Sequence, residues 1–211
     1  MRPPVRAPER AGRTARSVRA ACPAAPGLSG RVVEVGAGNG LNFGHYPAAV
    51  TELIAVEPEP HLREHAERAA RQTAVPITVV HAVAEELPFP DASFDAAVTS
   101  LMLCSVADVP AALVELHRVL RPGGELRFFE HVASPHTAWR TLQRTADATV
   151  WPRLSGGCHL ARETDGAIES AGFAIERCER FTFRIPPLDP PKTHVLGVAR
   201  RTQAPGSRPD A

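Results

Sequence analysis

The sequence has almost no excess of charge of either sign and no apolar run long enough to cross a membrane. Its 24 Lys and Arg residues stand against 23 Asp and Glu residues, which leaves a net charge of +1 over 211 residues. A nucleic-acid-binding domain usually carries a basic excess. A membrane-spanning helix needs about 18 or more consecutive apolar residues, and the sequence contains no such run. We therefore expect neither a nucleic acid partner nor a transmembrane segment.

Cysteine is scarce as well, and its spacing argues against two common kinds of site. The four cysteines, Cys22, Cys104, Cys158 and Cys178, form no C-x-x-C pair and no paired spacing with histidine. Structural zinc sites and disulfide frameworks depend on such spacings, so we expect no metal. The start of the chain also lacks the apolar core of a secretory signal. Together these absences favour a reducing, cytoplasmic location.

Length and local composition divide the chain into one domain and two tails. The 211 residues suffice for one hydrophobic core. Residues 1–28 are rich in arginine and proline and carry a single acidic residue, Glu9, which is typical of a flexible tail, with at most a short helix over Arg13–Ala21. Residues 203–211 are predicted to form a second, disordered tail. The folded domain is therefore expected at residues 29–202.

Between the tails, short apolar runs alternate with amphipathic segments. The predicted strands are rich in β-branched and aromatic residues and are Arg31–Val35, Leu53–Val56, Ile77–Val80, Phe94–Thr99, Glu125–Phe129, Phe173–Arg180 and Thr193–Arg200. The predicted helices carry apolar residues at helical spacing and are Pro60–Thr73, Pro110–Leu120, His136–Val150 and Arg162–Ala171. This alternation predicts an α/β fold, a doubly wound and mostly parallel sheet with helices on both faces. A turn at Arg121–Gly124 is expected before the fifth strand.

A glycine-rich loop follows the first predicted strand. Residues 36–40 read GAGNG and lead from a strand towards a helix. Glycines let the main chain turn tightly and let a ligand approach backbone N–H groups. A dinucleotide loop would have a third glycine where this chain has Leu41, and a phosphate-binding loop would have Gly-Lys-Ser/Thr, so neither motif fits. Glu57 ends the second strand, where Rossmann-type sheets keep an acid for ribose hydroxyl groups.

The motif around this loop resembles the first motif of the class I S-adenosylmethionine-dependent methyltransferases. It consists of an apolar residue followed by Glu34, Gly36, Gly38 and Gly40. The resemblance implies a Rossmann-like seven-stranded sheet, mostly parallel with an antiparallel last strand, and S-adenosyl-L-methionine as the cofactor. It also implies that the three glycines line the cofactor and that Glu57 binds its ribose. For Glu34 two interpretations stand, a brace for the loop or, as in the family, a partner of the methionine amine.

Later segments resemble the same family. The segment that begins at Ala84 and Glu85 is similar to the family's adenine-binding signature, which implies that these two residues contact the adenine. Val83 stands where many members have an aspartate. The predicted cofactor-binding set is completed by Pro58, at the end of the second strand, and by Leu101, just after the fourth strand.

Several other segments of the sequence resemble a narrower group of methyltransferases. The segments around Cys104, His131 and Cys158 resemble the small alkyl-thiol S-methyltransferases of animals and their bacterial relatives, which implies a small, fairly apolar acceptor with a thiol as the favoured group. His131 follows the fifth strand, where open α/β sheets place their ligand crevice, and an imidazole can orient or deprotonate a nucleophile. A histidine hydrogen-bonded within a loop is the alternative interpretation. His159 is the second catalytic candidate, and Cys158 is interpreted as a packed or loop cysteine.

Other functions are compatible with the same motifs. The acceptor atom can instead be a nitrogen, oxygen or carbon, as in a lipid head group or a natural product. An alternative of another class is a protein that binds NAD, or one that binds S-adenosylmethionine without transferring its methyl group. Leu41, in place of a third glycine, argues against NAD.

Overall fold

The computed structural model describes residues 25–149, 151–183 and 192–202. The strands are β1 (Gly30–Val35), β2 (Val50–Val56), β3 (Ile77–Val80), β4 (Phe94–Ser100), β5 (Leu120–Val132), β6 (Phe173–Phe183) and β7 (Lys192–Arg201). The helices are α1 (Pro60–Ala70), α2 (Val109–Val119), α3 (Thr137–Asp147), α4 (Trp151–Leu154) and α5 (Thr164–Ser170), with a short 3-10 helix at Phe43–His45. The helix predicted over Arg13–Ala21 and the tail predicted over residues 203–211 lie outside the described residues.

All seven described strands belong to one sheet. Their order is β3-β2-β1-β4-β5-β7-β6. The first five are mutually parallel, and β7 runs antiparallel between β5 and β6. The predicted fold, a mostly parallel seven-stranded sheet with an antiparallel last strand, is confirmed. Since the chain leaves β1 towards β2 and leaves β4 towards β5, the carboxyl ends of β1 and β4 border a crevice, which is where such sheets bind ligands.

Helices cover both faces of the sheet, as the sequence predicts. On one face, Ala66 of α1 and Phe43 of the 3-10 helix pack against the buried apolar side chains of β1 and β2. On the other face, Leu113 of α2 and Ile168 of α5 pack against β4, β5 and β7. Each face therefore has its own apolar core, and the sheet between them is rigid enough to hold the loops at its carboxyl edge.

Two predicted helices are shorter than expected. The first ends at Ala70 instead of Thr73, because the amides of Gln72 and Thr73 bond to carbonyls three residues back and the Thr73 hydroxyl donates to the Ala70 carbonyl. The helix predicted over His136–Val150 ends at Asp147. The carboxylate of Asp147 accepts the backbone N–H groups of residues 160 and 161, so it anchors the later loop instead of continuing the helix.

Two predicted boundaries also differ. The turn expected at Arg121–Gly124 lies within β5, where Leu120 pairs with Phe94 and Glu125 already pairs with Ala96. This register shift is a bulge, which inserts extra residues into one strand of a pair. At the start of the domain, the packed chain reaches further back than residue 29, since residues 25 and 28 are buried alanine and leucine in the core of the β1–β2 face.

Candidate active site

Two loops meet above the carboxyl ends of β1 and β4. Val35 and Thr99 pair near the ends of these strands. The loop after β1 carries the glycines, and the loop after β4 begins at Leu101. A Cβ atom added to Gly36 would lie 2.5 Å from Cγ of Met102, so the two loops touch at this point. Glycine is required at position 36 both by this contact and by a φ of +77°.

The glycine loop is hydrogen-bonded to the sheet at its start and borders open space in its middle. The N–H groups of Gly36 and Ala37 donate to the carbonyl of Val56 at 2.9 and 3.0 Å, which ties the loop to the end of β2. Gly38 has a φ of +57°, and a Cβ atom there would meet nothing within 4 Å. A Cβ atom on Gly40 would collide with neighbouring side chains. Gly38 is therefore the position at which a ligand can approach bare main chain.

Glu57 joins the glycine loop to the end of β2. Its side chain is buried, with 6% of the residue exposed. One carboxylate oxygen accepts the N–H of Gly38 at 2.8 Å, and the other accepts the N–H of Glu59 at 3.0 Å. Each carboxylate oxygen has two lone pairs, so Glu57 keeps acceptor capacity for ribose hydroxyl groups beside Gly38. Pro58, the next residue, is exposed.

Glu34 lies beneath the same loop and is completely buried. Its carboxylate accepts hydrogen bonds from the side-chain amide of Asn42 and from the hydroxyl of Tyr46 at 3.1 Å. Burial raises the pKa of Glu34 from 4.5 to about 7, and these two hydrogen bonds only partly oppose the rise. Glu34 thus braces the segment after the glycine loop, and its charge is poised to change near neutral pH.

The loop after β4 is strained at its first residue and held by a second buried acid. Leu101 has a φ of +56°, which is rare for a residue other than glycine. The residue is 46% exposed. Glu130, buried in β5, accepts the N–H groups of Met102 and Cys104 at 3.3 and 3.2 Å. Burial raises the pKa of Glu130 well above its usual range. The acid therefore fixes the loop in the shape that turns Leu101 outwards.

The predicted adenine segment lies after β3. Ala84 is 7% exposed and Val83 is 44% exposed. One carboxylate oxygen of Glu85 accepts the N–H groups of Ala107 and Asp108, each at 3.1 Å. Glu85 therefore holds the chain just before α2, and its contact with an adenine, like that of Ala84, stays a prediction.

His131 lies at the carboxyl end of β5 within a row of stacked rings. Its Nδ1 atom is 3.6 Å from Sγ of Cys158. Its ring stacks on that of His194 in β7, with centroids 5.1 Å apart. The His194 ring stacks in turn on Phe129 of β5 and Phe181 of β6. The row runs across β5, β7 and β6 because His131, His194 and Phe181 are in register.

His159, the second catalytic candidate, has a different environment. Its Nδ1 atom is 3.9 Å from a carboxylate oxygen of Asp147, and its side chain is 35% exposed. Its backbone N–H donates to the carbonyl of Cys104 at 2.7 Å. The main chain of His159 thus joins the loop after β4, while its imidazole faces α3.

Sequence reasoning missed several residues that shape the site. Asn42 and Tyr46 hold Glu34, and His194 supports the ring of His131. One feature of the sequence could have indicated the partners of Glu34: Asn42 and Tyr46, which both carry hydrogen-bond donors, follow closely on the glycine loop. The contact between His131 and Cys158 could not be read from spacing, because it joins β5 to a loop that lies beyond α3 and α4.

Comparison with known proteins identifies the family of this chain. A family model described as a methyltransferase domain matches residues 33–128. Human thiol S-methyltransferase TMT1B is 35% identical over 180 residues, which cover 82% of this chain and 72% of that protein. Human thiol S-methyltransferase TMT1A is 35% identical over 153 residues, 70% of this chain and 62% of that protein. The chain belongs to the thiol S-methyltransferase family. It is therefore an S-adenosylmethionine-dependent methyltransferase.

The solved structures agree with this assignment. An S-adenosylmethionine-dependent methyltransferase from Mesorhizobium loti superimposes with a TM-score of 0.60 at 25% identity, over 83% of this chain and 93% of that chain. Among the described residues of this methyltransferase, no helix is long and apolar enough to cross a bilayer.

The residues around the crevice suit the cofactor of this family. At Gly38 the main chain borders open space, which a bulky adenosyl group requires. Glu57 is buried beside that space and offers acceptors to a diol. S-adenosylmethionine has no phosphate groups, and this loop supplies no lysine to bind one. We therefore infer that Gly38 and Glu57 form the floor of the cofactor site, and that Gly36 allows the turn beside it.

Cofactor affinity is expected to depend on the protonation of Glu34. If Glu34 pairs with the methionine ammonium, the carboxyl must be ionised, and with a pKa of about 7 it is increasingly protonated below that pH. We expect the dissociation constant for S-adenosylmethionine to rise by up to about tenfold for each pH unit well below 7. Calorimetric titrations between pH 5.5 and pH 7.5 measure this change.

The matched variant for this experiment is Glu34→Gln, which keeps the shape and cannot ionise. It is expected to bind the cofactor more weakly at pH 7.5 and to lose the pH dependence. A pH dependence that persists in Glu34→Gln would leave Glu34 as a brace for the loop only.

The folding stability of the cofactor-free protein should change with pH in the opposite sense to cofactor affinity. The folded state holds the Glu34 proton more tightly than the unfolded chain does, so the free energy of unfolding falls as pH rises from 4.5 to about 7.

Proposed function

We propose that this methyltransferase transfers the methyl group to the sulfur of a small, fairly apolar thiol. Two relatives that resemble it over most of its length are named thiol S-methyltransferases. The main structural support is found at the end of β5. There the His131 imidazole lies beside the Cys158 thiol and stacks in a row of aromatic rings. The rings form a largely buried apolar layer, in which His131 is 3% exposed, and the imidazole is one group that can accept a proton.

A thiol needs little else from the protein. When bound, the cofactor supplies a methyl group on a positively charged sulfur. The protein's share is to hold the two reactants in line and to exclude water. A thiol with a pKa near 8.5 is about 3% ionised at pH 7, so a base that takes its proton increases the reactive fraction. His131 is assigned that role.

The other residues of the site are assigned to binding the cofactor or to holding the loops in place. Gly38 gives the cofactor bare main chain, Gly36 and Gly40 allow the close packing of the loop on either side of it, and Glu57 binds the ribose hydroxyl groups. The remaining members of the proposed cofactor set border this floor and are Glu34, Pro58, Ala84, Glu85 and Leu101. His159 acts as a positioning residue, because its N–H fixes the carbonyl of Cys104.

The partners follow from the same proposal. A small-molecule acceptor fits the nearly neutral chain, which gives no electrostatic reason for a nucleic acid partner. Cys104, Cys158 and Cys178 are free thiols, which agrees with a reducing, cytoplasmic location.

A panel of acceptors tests the thiol preference. The purified protein is supplied with cofactor labelled on the methyl group and with thiols, amines and phenols of similar size and apolarity. We expect turnover of the thiols to exceed that of matched amines and phenols by about a hundredfold, since the site offers one base and an apolar wall. Turnover of amines or phenols alone would overturn the thiol assignment in favour of N- or O-methylation.

A further inference from the structure

Two cysteine thiols from different loops meet beside His131. Cys104 belongs to the loop after β4, and Cys158 belongs to the loop between α4 and α5. The two thiols are close enough for each to influence the ionisation of the other. The main chains also touch, since the N–H of His159 donates to the carbonyl of Cys104 at 2.7 Å. A Cβ atom on Gly157 would lie 3.2 Å from the carbonyl oxygen of Ser105, so the two loops are in close contact along several residues.

The two thiols differ in the way that attacking and resolving thiols differ. Cys158 is partly exposed, while Cys104 is 1% exposed. The neighbouring Cys104 thiol lowers the pKa of Cys158. The neighbouring Cys158 thiol and burial raise the pKa of Cys104. A partly exposed thiol with a lowered pKa reacts readily with disulfides, whereas a buried thiol with a raised pKa does not.

The surroundings support the same division of roles. Nδ1 of His131 lies 3.6 Å from Sγ of Cys158 and can exchange a proton with it. Sγ of Cys104 lies 3.4 Å from the carbonyl of Leu101 and 3.6 Å from the hydroxyl of Ser105. Cys104 is therefore held in place next to Cys158, and away from solvent.

We propose that Cys158 and Cys104 form a redox-active thiol pair that reacts with small disulfides. The choice of small, uncharged disulfides rests on the proposed function, because they are the oxidised form of the acceptor class. The Cys158 thiolate attacks one sulfur of the disulfide, and a bond forms between them as the second sulfur leaves and takes up a proton. Cys104 then loses its proton to His131 and attacks the Cys158 sulfur, which expels the second small thiol. Two protein thiols are thus oxidised while one small disulfide is reduced to two thiols.

The new bond would connect the loop after β4 to the loop after α4. It would also remove the thiol that faces His131. Methyl transfer should therefore fall by about tenfold or more in the oxidised protein and should recover when a dithiol reductant reopens the bond. The pair would couple methylation to the redox state of the acceptor pool.

Mass spectrometry of the full chain tests the pair directly. The variant Cys22→Ala/Cys178→Ala is fully reduced and then incubated with 2-hydroxyethyl disulfide. We expect the loss of two hydrogens from the intact mass and one cross-linked peptide pair that contains Cys104 and Cys158. Added to this background, Cys104→Ala should stop at the mixed disulfide on Cys158, and Cys158→Ala should not react.

Three results would overturn the proposal. These are an unchanged mass, a mixed disulfide that forms on Cys104 in the Cys158→Ala variant, or a mixed disulfide on Cys158 that persists without closing while Cys104 is present. Cys104→Ser is made in parallel, so that a packing defect in one variant does not decide the outcome. The mass measurements need no methyl acceptor, so failure of the thiol panel and failure of the thiol pair are distinguishable.

Discussion

The substitution Gly38→Ala is expected to abolish most cofactor binding while leaving the fold intact. The added methyl group would meet no protein atom within 4 Å, so it would project into the crevice that the cofactor must occupy. We expect S-adenosylmethionine to bind about a hundredfold more weakly, a change of roughly 2.7 kcal/mol. The N–H of Gly38 is retained, so its hydrogen bond to Glu57 can persist. Calorimetric titration measures the affinity.

The chain offers a matched control at Gly123. This residue has a φ of +76°, and a Cβ atom there would also meet nothing within 4 Å. It lies near the start of β5, at the amino-terminal end of the strand, whereas the crevice lies at the carboxyl ends of the strands. An alanine forced into this backbone conformation costs about 1–2 kcal/mol at either position. Gly123→Ala should therefore lose similar stability and keep wild-type affinity. Equal affinities for the two variants would mean that the glycine loop does not border the cofactor.

Replacing His131 by phenylalanine is expected to reduce thiol methylation in a pH-dependent way. The phenyl ring can keep the stacking with His194 but cannot take a proton. About 3% of a thiol with a pKa near 8.5 is ionised at pH 7, so loss of the base should lower turnover by up to roughly 30-fold there. The defect should nearly vanish above about pH 9, where the thiol ionises unaided. Turnover measured from pH 6 to pH 9 gives this profile.

Two controls separate this role from a structural one. The melting temperature and cofactor affinity of His131→Phe should stay close to those of the wild type, because the imidazole faces Cys158 and not the glycine loop. A defect of equal size at every pH would mean that His131 shapes the pocket without moving a proton. Wild-type turnover at pH 7 would remove His131 from the reaction altogether.

The sheet could be predicted from the sequence because its strands are apolar runs, and the central ones are buried on both faces. Runs such as Leu53–Val56 and Ile77–Val80 have few polar residues, and the glycines after β1 mark where the chain turns. The antiparallel last strand did not follow from periodicity. It came from the resemblance to a family, and the pairing of β7 with β5 and β6 confirms it. The strand order was not predicted and comes from the structure alone.

The parts of the site that depend on distant contacts could not be predicted. The burial of Glu34, which raises its pKa to about 7, and its hydrogen bonds with Asn42 and Tyr46 exist only in the folded chain. The role of Glu130 as a brace depends on two backbone N–H groups of the loop after β4. Such contacts arise from tertiary packing, which a local sequence pattern does not predict. The bulge in β5 was missed for the same reason.

The cofactor is expected to lie over the bare main chain at Gly38 with its ribose beside Glu57. A crystal structure of the protein soaked with S-adenosyl-L-homocysteine, the product form of the cofactor, tests this placement. We expect electron density between the glycine loop and the loop at Leu101, with the ribose hydroxyl groups within hydrogen-bonding distance of the Glu57 carboxylate. Density for the compound elsewhere on the protein, with solvent alone above Gly38, would contradict it.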